Sequence, residues 1–222
     1  MRRQERGKGP LLLASLLEQA GRAREAISVL EQAAARNPKD PGVGHRLALL
    51  YSREGRFSEA AQACERLLDL NPRDIVALDL LAAAYVRLGD QDRLWPVVRR
   101  LLMLCPEEPR YRMLKAALLQ QAGQTPAAME EYLSVLERDE DEASTEAAEE
   151  AVYLLDMIQI QQLLAAARAD RRLRARIQND LQGVLREWRL RLSEDAEVWL
   201  EGLDLDAFFD EQLPGGHSEP IH

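Results

Sequence analysis

The chain contains 222 residues, of which 46% are hydrophobic and 30% are charged, and its formal net charge at pH 7 is −9. This composition is typical of a folded, helix-rich protein and excludes a chain that is disordered over most of its length. No apolar run approaches the ~20 residues that a membrane-spanning helix needs, and the acidic balance argues against a wholly basic nucleic-acid-binding surface.

Residues 1–6 are predicted to form a tail ahead of the first helix. Basic residues there precede an apolar run over residues 11–17, which is the order found in a secretory signal peptide. Glu18 and Gln19 follow the run instead of a small-residue cleavage site. The run also falls in register with the repeat that follows, so we interpret it as a helix of the folded protein.

Small residues recur through the first two thirds of the chain with a period of 34 residues. The period is marked by four glycines, Gly21, Gly55, Gly89 and Gly123. An alanine lies seven residues before each glycine, and an alanine or Leu94 lies five residues after it. A proline lies seventeen residues after each of the first three glycines, and Glu140 lies there in the fourth unit.

This spacing predicts a series of helix hairpins. Glycine ends the first helix of each hairpin, because it adopts the left-handed cap conformation without steric cost. The small alanines allow the two helices to approach closely, and proline ends the second helix because it cannot continue one. The predicted helices cover residues 10–20, 24–36, 43–54, 58–70, 75–88, 91–104, 109–122 and 126–138.

The glycine, alanine and proline register resembles that of the tetratricopeptide repeat (TPR) family. The resemblance covers residues 7–142, as the units 7–40, 41–74, 75–108 and 109–142. The family's tryptophan near the start of each unit is absent, and Pro10, Gly44, Leu78 and Arg112 stand in its place. The resemblance implies an all-α fold, a right-handed superhelical solenoid with a C-terminal capping helix and additional helices.

Two prolines mark departures from a regular array. Pro96 lies inside the expected second helix of the third unit, where it removes a backbone hydrogen bond. We therefore expect a kink, or a helix start delayed to Trp95 and Pro96. Pro126 follows Thr125, which predicts Thr125 as the N-cap with proline at the first helical position.

No 34-residue register continues beyond residue 142. Residues 143–168 are predicted to form the capping helix, whose apolar residues include Val152, Leu155, Ile158, Leu163 and Leu164. Residues 169–213 are predicted to be an amphipathic extension, in which 171–192 form one apolar pattern with arginines on its other faces. Ser193 is the predicted N-cap of a short helix, and residues 214–222 are predicted to be disordered.

The sequence gives no support for catalysis. A phosphate-binding glycine loop, metal-ligand spacing and a nucleophile elbow are absent from the sequence, so we expect no enzyme activity, no metal and no cofactor. Cys64 is predicted to be a buried core thiol. Since Cys64 and Cys105 are too few for a disulfide framework, we expect a reducing compartment and a cytoplasmic protein. Arginine supplies 26 of the 29 basic residues, which suggests a bacterial source.

The TPR resemblance implies that the first helix of each hairpin lines a concave groove that binds a partner protein. The residues predicted to line it are His45, Arg46, Leu49, Arg53, Asp79, Leu80, Val86, Arg87, Arg110, Met113 and Gln120. Arginine suits carboxylates, so we expect a peptide with acidic and apolar residues. The alternative is that these arginines only solvate the face, or that they pair with Asp79 and Glu18. The lysine, asparagine and arginine clamp of chaperone-tail-binding TPR proteins is not supported, since Arg46 is the only cation at those positions.

The acidic segment 194–213 carries Trp199, Phe208 and Phe209, and two interpretations stay open. It docks into the arginine-lined groove of the same molecule or of a second copy, or it forms part of a helical hairpin that packs on the end of the array. The first interpretation predicts self-association or intramolecular docking through 194–213.

Two other functions remain as alternatives to a non-enzymatic adaptor. Residues 160–216, which end at Gly215 and Gly216, are loosely similar to leader regions of bacterial ribosomally made peptide precursors, which implies a peptide precursor or carrier. Eight arginines between residues 168 and 191 offer a nucleic-acid-binding helix, which lacks an aromatic stacking platform.

Overall fold

The structure is a computed structural model that describes residues 5–138 and 142–210. Every regular element in these two ranges is an α-helix, so the predicted all-α fold is confirmed. The chain forms two compact units, Met1–Tyr111 and Arg112–His222. Residues 1–4 of the predicted tail 1–6, the predicted tail 214–222, and residues 139–141 and 211–213 lie outside the described residues. The predicted tail is wrong at Glu5 and Arg6, which belong to the first helix.

The helices of the first two thirds alternate as the 34-residue period predicts. They are α1 (Glu5–Gln19), α2 (Ala23–Arg36), α3 (Pro41–Arg53), α4 (Phe57–Leu70), α5 (Ile75–Leu88), α6 (Gln91–Leu104), α7 (Pro109–Gln121) and α8 (Thr125–Leu136). The predicted start of α1 at Pro10 is wrong, because α1 begins at Glu5 and includes Pro10. Pro10 is the sixth residue of α1, so it removes one backbone hydrogen bond in the second turn and does not mark the start of the helix.

Each repeated glycine lies at the bend of a hairpin in a left-handed conformation. The φ angles of Gly21, Gly55, Gly89 and Gly123 are 73°, 74°, 68° and 72°. At the end of α5, the Asp90 amide donates to the Tyr85 carbonyl at 3.0 Å, which closes the turn around Gly89. Residues with a side chain are strained at this φ. The spacing of the glycines therefore determines the spacing of the hairpins.

In the first unit, the first helices of successive hairpins lie side by side. Helix α3 contacts both α1 and α5, and each first helix also packs on its own second helix. Close approach is possible because the alanines predicted to be small contacts are fully buried, as at Ala26, Ala48 and Ala60. Cys64 is also fully buried, which confirms the predicted core thiol.

A tyrosine–glutamate hydrogen bond recurs between neighbouring hairpins of this unit. The Tyr51 hydroxyl donates to Glu31 Oε1 at 2.7 Å. Exactly one period later, the Tyr85 hydroxyl donates to Glu65 Oε1 at 2.6 Å. Both tyrosines lie on first helices and both glutamates on the preceding second helix, so each bond joins one hairpin to the next.

Helix α6 begins at Gln91, which confirms the predicted range 91–104 and excludes the start delayed to Trp95 and Pro96, whereas the kink stays a prediction. The Asp90 side chain fixes this start by accepting from the Arg93 amide, and the helix runs through Pro96. Pro96 then removes only one hydrogen bond in the second turn. Helix α8 begins at Thr125, so Gln124 rather than Thr125 is its N-cap, and the Gln124 carbonyl accepts the first helical bond from the Ala128 amide.

The second unit continues with α8 packed on α9 (Glu142–Ala167), which is followed by α10 (Arg171–Asn179), α11 (Leu181–Trp188), α12 (Glu194–Glu201) and α13 (Leu205–Asp210). The end of α9 and the last four helices share one apolar core. The predicted single pattern over 171–192 is two helices, because the backbone at Asp180 ends α10 and its side chain caps α11. Ser193 caps α12 as predicted, since its hydroxyl accepts from the Ala196 amide.

Two polar side chains of α9 hold the segment that connects α11 to α12. The Gln159 side chain donates to the Arg191 carbonyl at 2.7 Å and accepts from the Arg191 amide at 2.9 Å. Asp156 accepts from the Ser193 amide at 3.0 Å and from its hydroxyl at 2.6 Å. Because these four groups satisfy each other, they hold the linker in one position without an unpaired buried charge.

Among the residues that the structure describes, no helix is both long enough and apolar enough to cross a membrane.

Candidate functional site

The predicted groove residues of the first unit lie on first helices or at the start of α7. Helix α3 carries His45, Arg46, Leu49 and Arg53, helix α5 carries Asp79, Leu80, Val86 and Arg87, and α7 begins with Pro109 and Arg110. Because α3 contacts α5, these side chains belong to one layer of helices. We call the surface of α1, α3 and α5 that carries Glu18, Leu49, Arg53, Leu80, Val86 and Arg87 the first-helix surface.

Glu18 of α1 binds two of the predicted arginines of α3. Arg46 Nε and Nη2 lie 2.7 Å and 2.6 Å from Glu18 Oε1, and Arg53 Nη1 lies 3.2 Å from Glu18 Oε2. The Glu18 side chain is 12% exposed, whereas the Arg53 side chain is 59% exposed. The two arginines therefore follow the predicted alternative, in which they pair with Glu18, and the three side chains together keep one positive charge.

The His45 imidazole forms a structural hydrogen bond and is not placed as a metal ligand. Its Nε2 lies 2.8 Å from Asp74 Oδ2. The other oxygen of Asp74 accepts from the Ala77 amide at 3.1 Å and caps α5. His45 thus links α3 to the start of the next first helix.

Asp79 lies beside Arg110 and Tyr111. Arg110 Nη2 is 4.0 Å from Asp79 Oδ2, and Arg110 Nε donates to Glu108 at 2.8 Å. Burial, and then a hydrogen bond to Asp79, raises the pKa of the Tyr111 hydroxyl well above its ordinary value. Since two carboxylates surround it, Arg110 is locally neutralised and contributes less free positive charge than predicted.

Arg87 is an exposed cation of the first-helix surface that has an aromatic partner. Its guanidinium carbon lies 4.9 Å from the centre of the Phe57 ring, which holds the side chain by a cation–π contact. It occupies the same repeat position as Arg53, one period later on the neighbouring helix. Leu49 and Leu80 are half-buried and Val86 is 48% exposed, so apolar area lies among these two arginines.

Met113 and Gln120, the last two predicted groove residues, lie in the second unit. Met113 is half-buried, and the Gln120 side chain accepts a hydrogen bond from the Tyr132 hydroxyl at 2.9 Å. Their membership of the same surface as Arg53 and Arg87 stays a prediction.

The aromatic residues of the predicted docking segment are not equivalent. Phe209 is 8% exposed within the C-terminal core, and Phe208 packs against it edge to face with ring centres 5.2 Å apart. These two rings are therefore committed to the core of their own unit and are not free to dock elsewhere. Trp199 is 50% exposed. Within the second unit, residues 194–210 of the segment pack as part of a helical cluster.

The arginines between 168 and 191 do not form a uniform cationic face. The prediction that Arg174 covers an outer face is wrong, because Arg174 is 9% exposed and donates to the carbonyls of Ala167 and Arg168 and to Asp206. Arg176 pairs with Glu187 at 2.5 Å, which joins α10 to α11. The short link between two helices brings these partners together, which a single continuous helix would not do.

The structure bears on the Cys64 thiol and on metal-binding clusters in the described ranges. Burial raises the pKa of the Cys64 thiol to about 12, so the thiolate is scarce near neutral pH. No group of three or more His, Cys, Asp or Glu side chains is placed to hold a metal ion among the described residues. His217, His222, Gly215 and Gly216 lie outside them.

Sequence reasoning missed an apolar groove on the second unit. Ile158, one of the apolar residues of the predicted capping helix, is 49% exposed, and its helix neighbours Tyr153, Leu154 and Met157 are 64%, 50% and 40% exposed. The apolar residues of α9 occupy more than one face of the helix, and this pattern in the sequence could have indicated that one apolar face stays exposed. The capping helix buries one apolar face and leaves another open.

Comparison with known proteins relates the chain to tetratricopeptide repeats. The sequence model of the tetratricopeptide repeat family matches residues 17–84. The structure of MamA 41-end from Desulfovibrio magneticus RS-1 is similar, with 17% identity, 60% of this chain and 76% of that chain covered, and a TM-score of 0.55. YrrB, a TPR protein described as having an unusual peptide-binding site, is similar with 18% identity, 59% and 67% coverage, and a TM-score of 0.52. No curated protein matches the chain.

Proposed function

We propose that this chain, which belongs to the tetratricopeptide repeat family, is a non-catalytic scaffold that binds a partner polypeptide on the first-helix surface. The observation that carries the proposal is the pair Arg53 and Arg87. Their guanidinium groups are exposed at the same position of two adjacent hairpins, with the apolar side chains of Leu49, Leu80 and Val86 among them.

The charge of this surface determines the chemistry of the partner. Arg53 uses one nitrogen for Glu18, and the rest of its planar fork is open to a carboxylate. Arg87 lies over the Phe57 ring, which orients the guanidinium and leaves its edge for hydrogen bonding. Since neighbouring helices lie about 8–10 Å apart, a polypeptide with acidic residues spaced to reach successive helices, and apolar residues between them, fits the surface.

The proposed setting is the bacterial cytoplasm. The support is the reducing compartment that two unpaired cysteines indicate, and the dominance of arginine among basic residues.

A displayed library of short random peptides tests the proposal without a known partner. Peptides selected on the wild-type protein should be enriched in Asp, Glu and apolar residues. The best of them, made synthetically, should bind the Arg53→Glu, Arg87→Glu variant at least about tenfold more weakly in fluorescence anisotropy, because both charges become repulsive.

The matched control is Arg24→Glu, Arg99→Glu, which makes the same charge change at exposed positions of the second helices α2 and α6. This variant should keep wild-type affinity. Equal weakening by both double variants would mean that only net charge matters, and a selection without acidic enrichment would also contradict the proposal.

A further inference from the structure

A groove of about 780 Å³ opens on the second unit between α8, α9 and α12. Leu133 and Leu136 of α8 form one wall, and Trp199 of α12 lies on the other. The floor is α9, with Met157 and Tyr153 exposed to solvent. Leu154 and Ile158 extend the exposed apolar area along α9 beside the groove. We call this the C-terminal groove.

The rim of the C-terminal groove is acidic. Glu149, Glu194 and Asp195 line it and are exposed. A fourth acid, Asp156 of α9, is buried and hydrogen-bonded to Ser193, so its charge is not presented to a ligand in the groove. Every charged residue among the described lining residues is acidic. The groove therefore suits a segment that is apolar on one face and basic at its edge, which is opposite in charge to the partner proposed for the first-helix surface.

The chain itself contains a segment of that chemistry at its other end. On α1, Leu12, Leu13 and Leu16 are 63%, 47% and 54% exposed, and their spacing places them on one face of the helix. The sequence before them carries Arg2, Arg3, Arg6 and Lys8, with Glu5 as the single acid. These three leucines form an apolar face that the rest of the described chain does not cover.

We propose that the C-terminal groove binds α1 of a second copy of this chain, so that the protein self-associates head to tail. In this contact the exposed leucines of α1 cover Met157, Tyr153 and Trp199, and the positive charge of the sequence before them suits the acidic rim. The two surfaces are formed by different residues of the chain. Such a heterologous contact builds chains, or rings if the rotation between copies closes.

Light scattering after size exclusion tests the proposal with the whole protein. The helix variant is Leu12→Glu, Leu16→Glu, and the groove variant is Met157→Lys, Trp199→Ala; all four positions are at least 40% exposed, so both variants should fold. We expect the wild type to exceed its monomer mass of 25.1 kDa, by more at higher concentration and by less at high salt. Each variant alone should be monomeric.

The decisive measurement is an equimolar mixture of the two variants. The helix variant keeps an intact groove and the groove variant keeps an intact α1, so the mixture should form a heterodimer of twice the monomer mass and stop there. The matched control Met103→Lys, at a residue of α6 that is 79% exposed, should associate like the wild type. A monomeric wild type, a variant that still associates, or a monomeric mixture of two folded variants would each overturn the proposal.

A labelled synthetic peptide of residues 1–20 separates a second copy from an unrelated basic partner. It should bind the helix variant saturably, and bind the groove variant at least about tenfold more weakly. A scrambled peptide of the same composition is the control, because it has the same charge without the leucine face. If the two peptides bind equally, the groove recognises basic peptides in general and not α1, and the proposal fails.

Discussion

At the scale of single residues, the tyrosine–glutamate bonds between hairpins tie stability to pH. Burial, and then the hydrogen bond to Glu65, raises the pKa of Tyr85 to about 12, and the pKa of Tyr51 is raised to about 12 in the same way beside Glu31. The folded protein therefore holds these protons at a pH where the unfolded chain, with a tyrosine pKa of about 10, releases them. Their contribution to stability is complete below about pH 10 and is lost as the pH rises towards 12.

We predict that Tyr85→Phe makes the protein less sensitive to alkali. At neutral pH the variant should lose about 0.5–1.5 kcal/mol of unfolding free energy with the hydrogen bond. Between about pH 10 and 12 its stability should fall less steeply than that of the wild type, because one proton fewer is released on unfolding. Urea unfolding across this pH range measures both effects. A Tyr85→Phe slope equal to the wild type's would refute the assignment.

At the scale of the helix, aspartates determine where many elements begin. Asp40, Asp74, Asp90, Asp170 and Asp180 each accept backbone amide bonds in the first turn of the helix that follows. Asp180 has two roles, since its backbone ends α10 while its Oδ1 accepts from the Gly183 amide at 2.9 Å. A methyl group at position 183 would collide with this carboxylate, so the Asp180 cap in this position requires a glycine at 183.

A double-mutant cycle tests that dependence. Asp180→Ala should cost about 1 kcal/mol through the lost cap. Gly183→Ala should also destabilise, although alanine is the better helix former, because its methyl group displaces the capping carboxylate. The double variant should cost less than the sum of the two, since the methyl group no longer has a carboxylate to displace. Thermal unfolding measures all three, and strict additivity would show that the two residues do not interact.

The hairpins were predictable from sequence because their determinants are local. A glycine at each bend and alanines at fixed distances specify the turn and the close approach without any distant contact. The break at Asp180 was missed for a related reason: Leu173, Ile177, Leu181 and Leu185 keep a spacing of four residues straight across it. An uninterrupted apolar pattern outweighed a capping residue that the sequence also contained.

The sequence predicted where the arginines of the candidate site lie, but not which carboxylate each of them pairs with. The repeat register placed Arg46, Arg53 and Arg87 on first helices, as the structure has them. Which carboxylate neutralises which arginine depends on side-chain rotamers across helices, as with Glu18, which lies 28 and 35 residues from its two partners. The C-terminal groove lies outside the register altogether, since its walls come from α8 and α12, which are separated by the whole of α9, α10 and α11.

At the scale of the whole molecule, each unit has its own core, so damage should stay within a unit. Ile177 is fully buried among α9 to α13, and Leu50 is 1% exposed in the first unit. In repeat proteins, stability is a sum of local terms and nearest-neighbour terms. A core defect in one unit therefore need not loosen the other.

We predict that Ile177→Ala and Leu50→Ala give opposite patterns of amide hydrogen exchange. Each substitution should cost its own unit about 2–5 kcal/mol. In Ile177→Ala, exchange should accelerate over residues 160–209 and stay at the wild-type rate over residues 43–68, and Leu50→Ala should do the reverse. Mass spectrometry of peptic fragments gives both readings from one sample. Acceleration along the whole chain in either variant would mean that the protein unfolds as one cooperative body.

The spacing of the tyrosine–glutamate bonds bears on how the chain can lengthen or shorten in evolution. Each bond joins residues 20 positions apart, and the second bond is the first displaced by 34 positions. A genetic duplication or deletion of 34 residues within this part of the array therefore recreates an existing junction at the new boundary, whereas any other length leaves a mismatched one. The surface available to partners can thus grow or shrink by whole 34-residue units while the contacts between neighbouring hairpins stay the same.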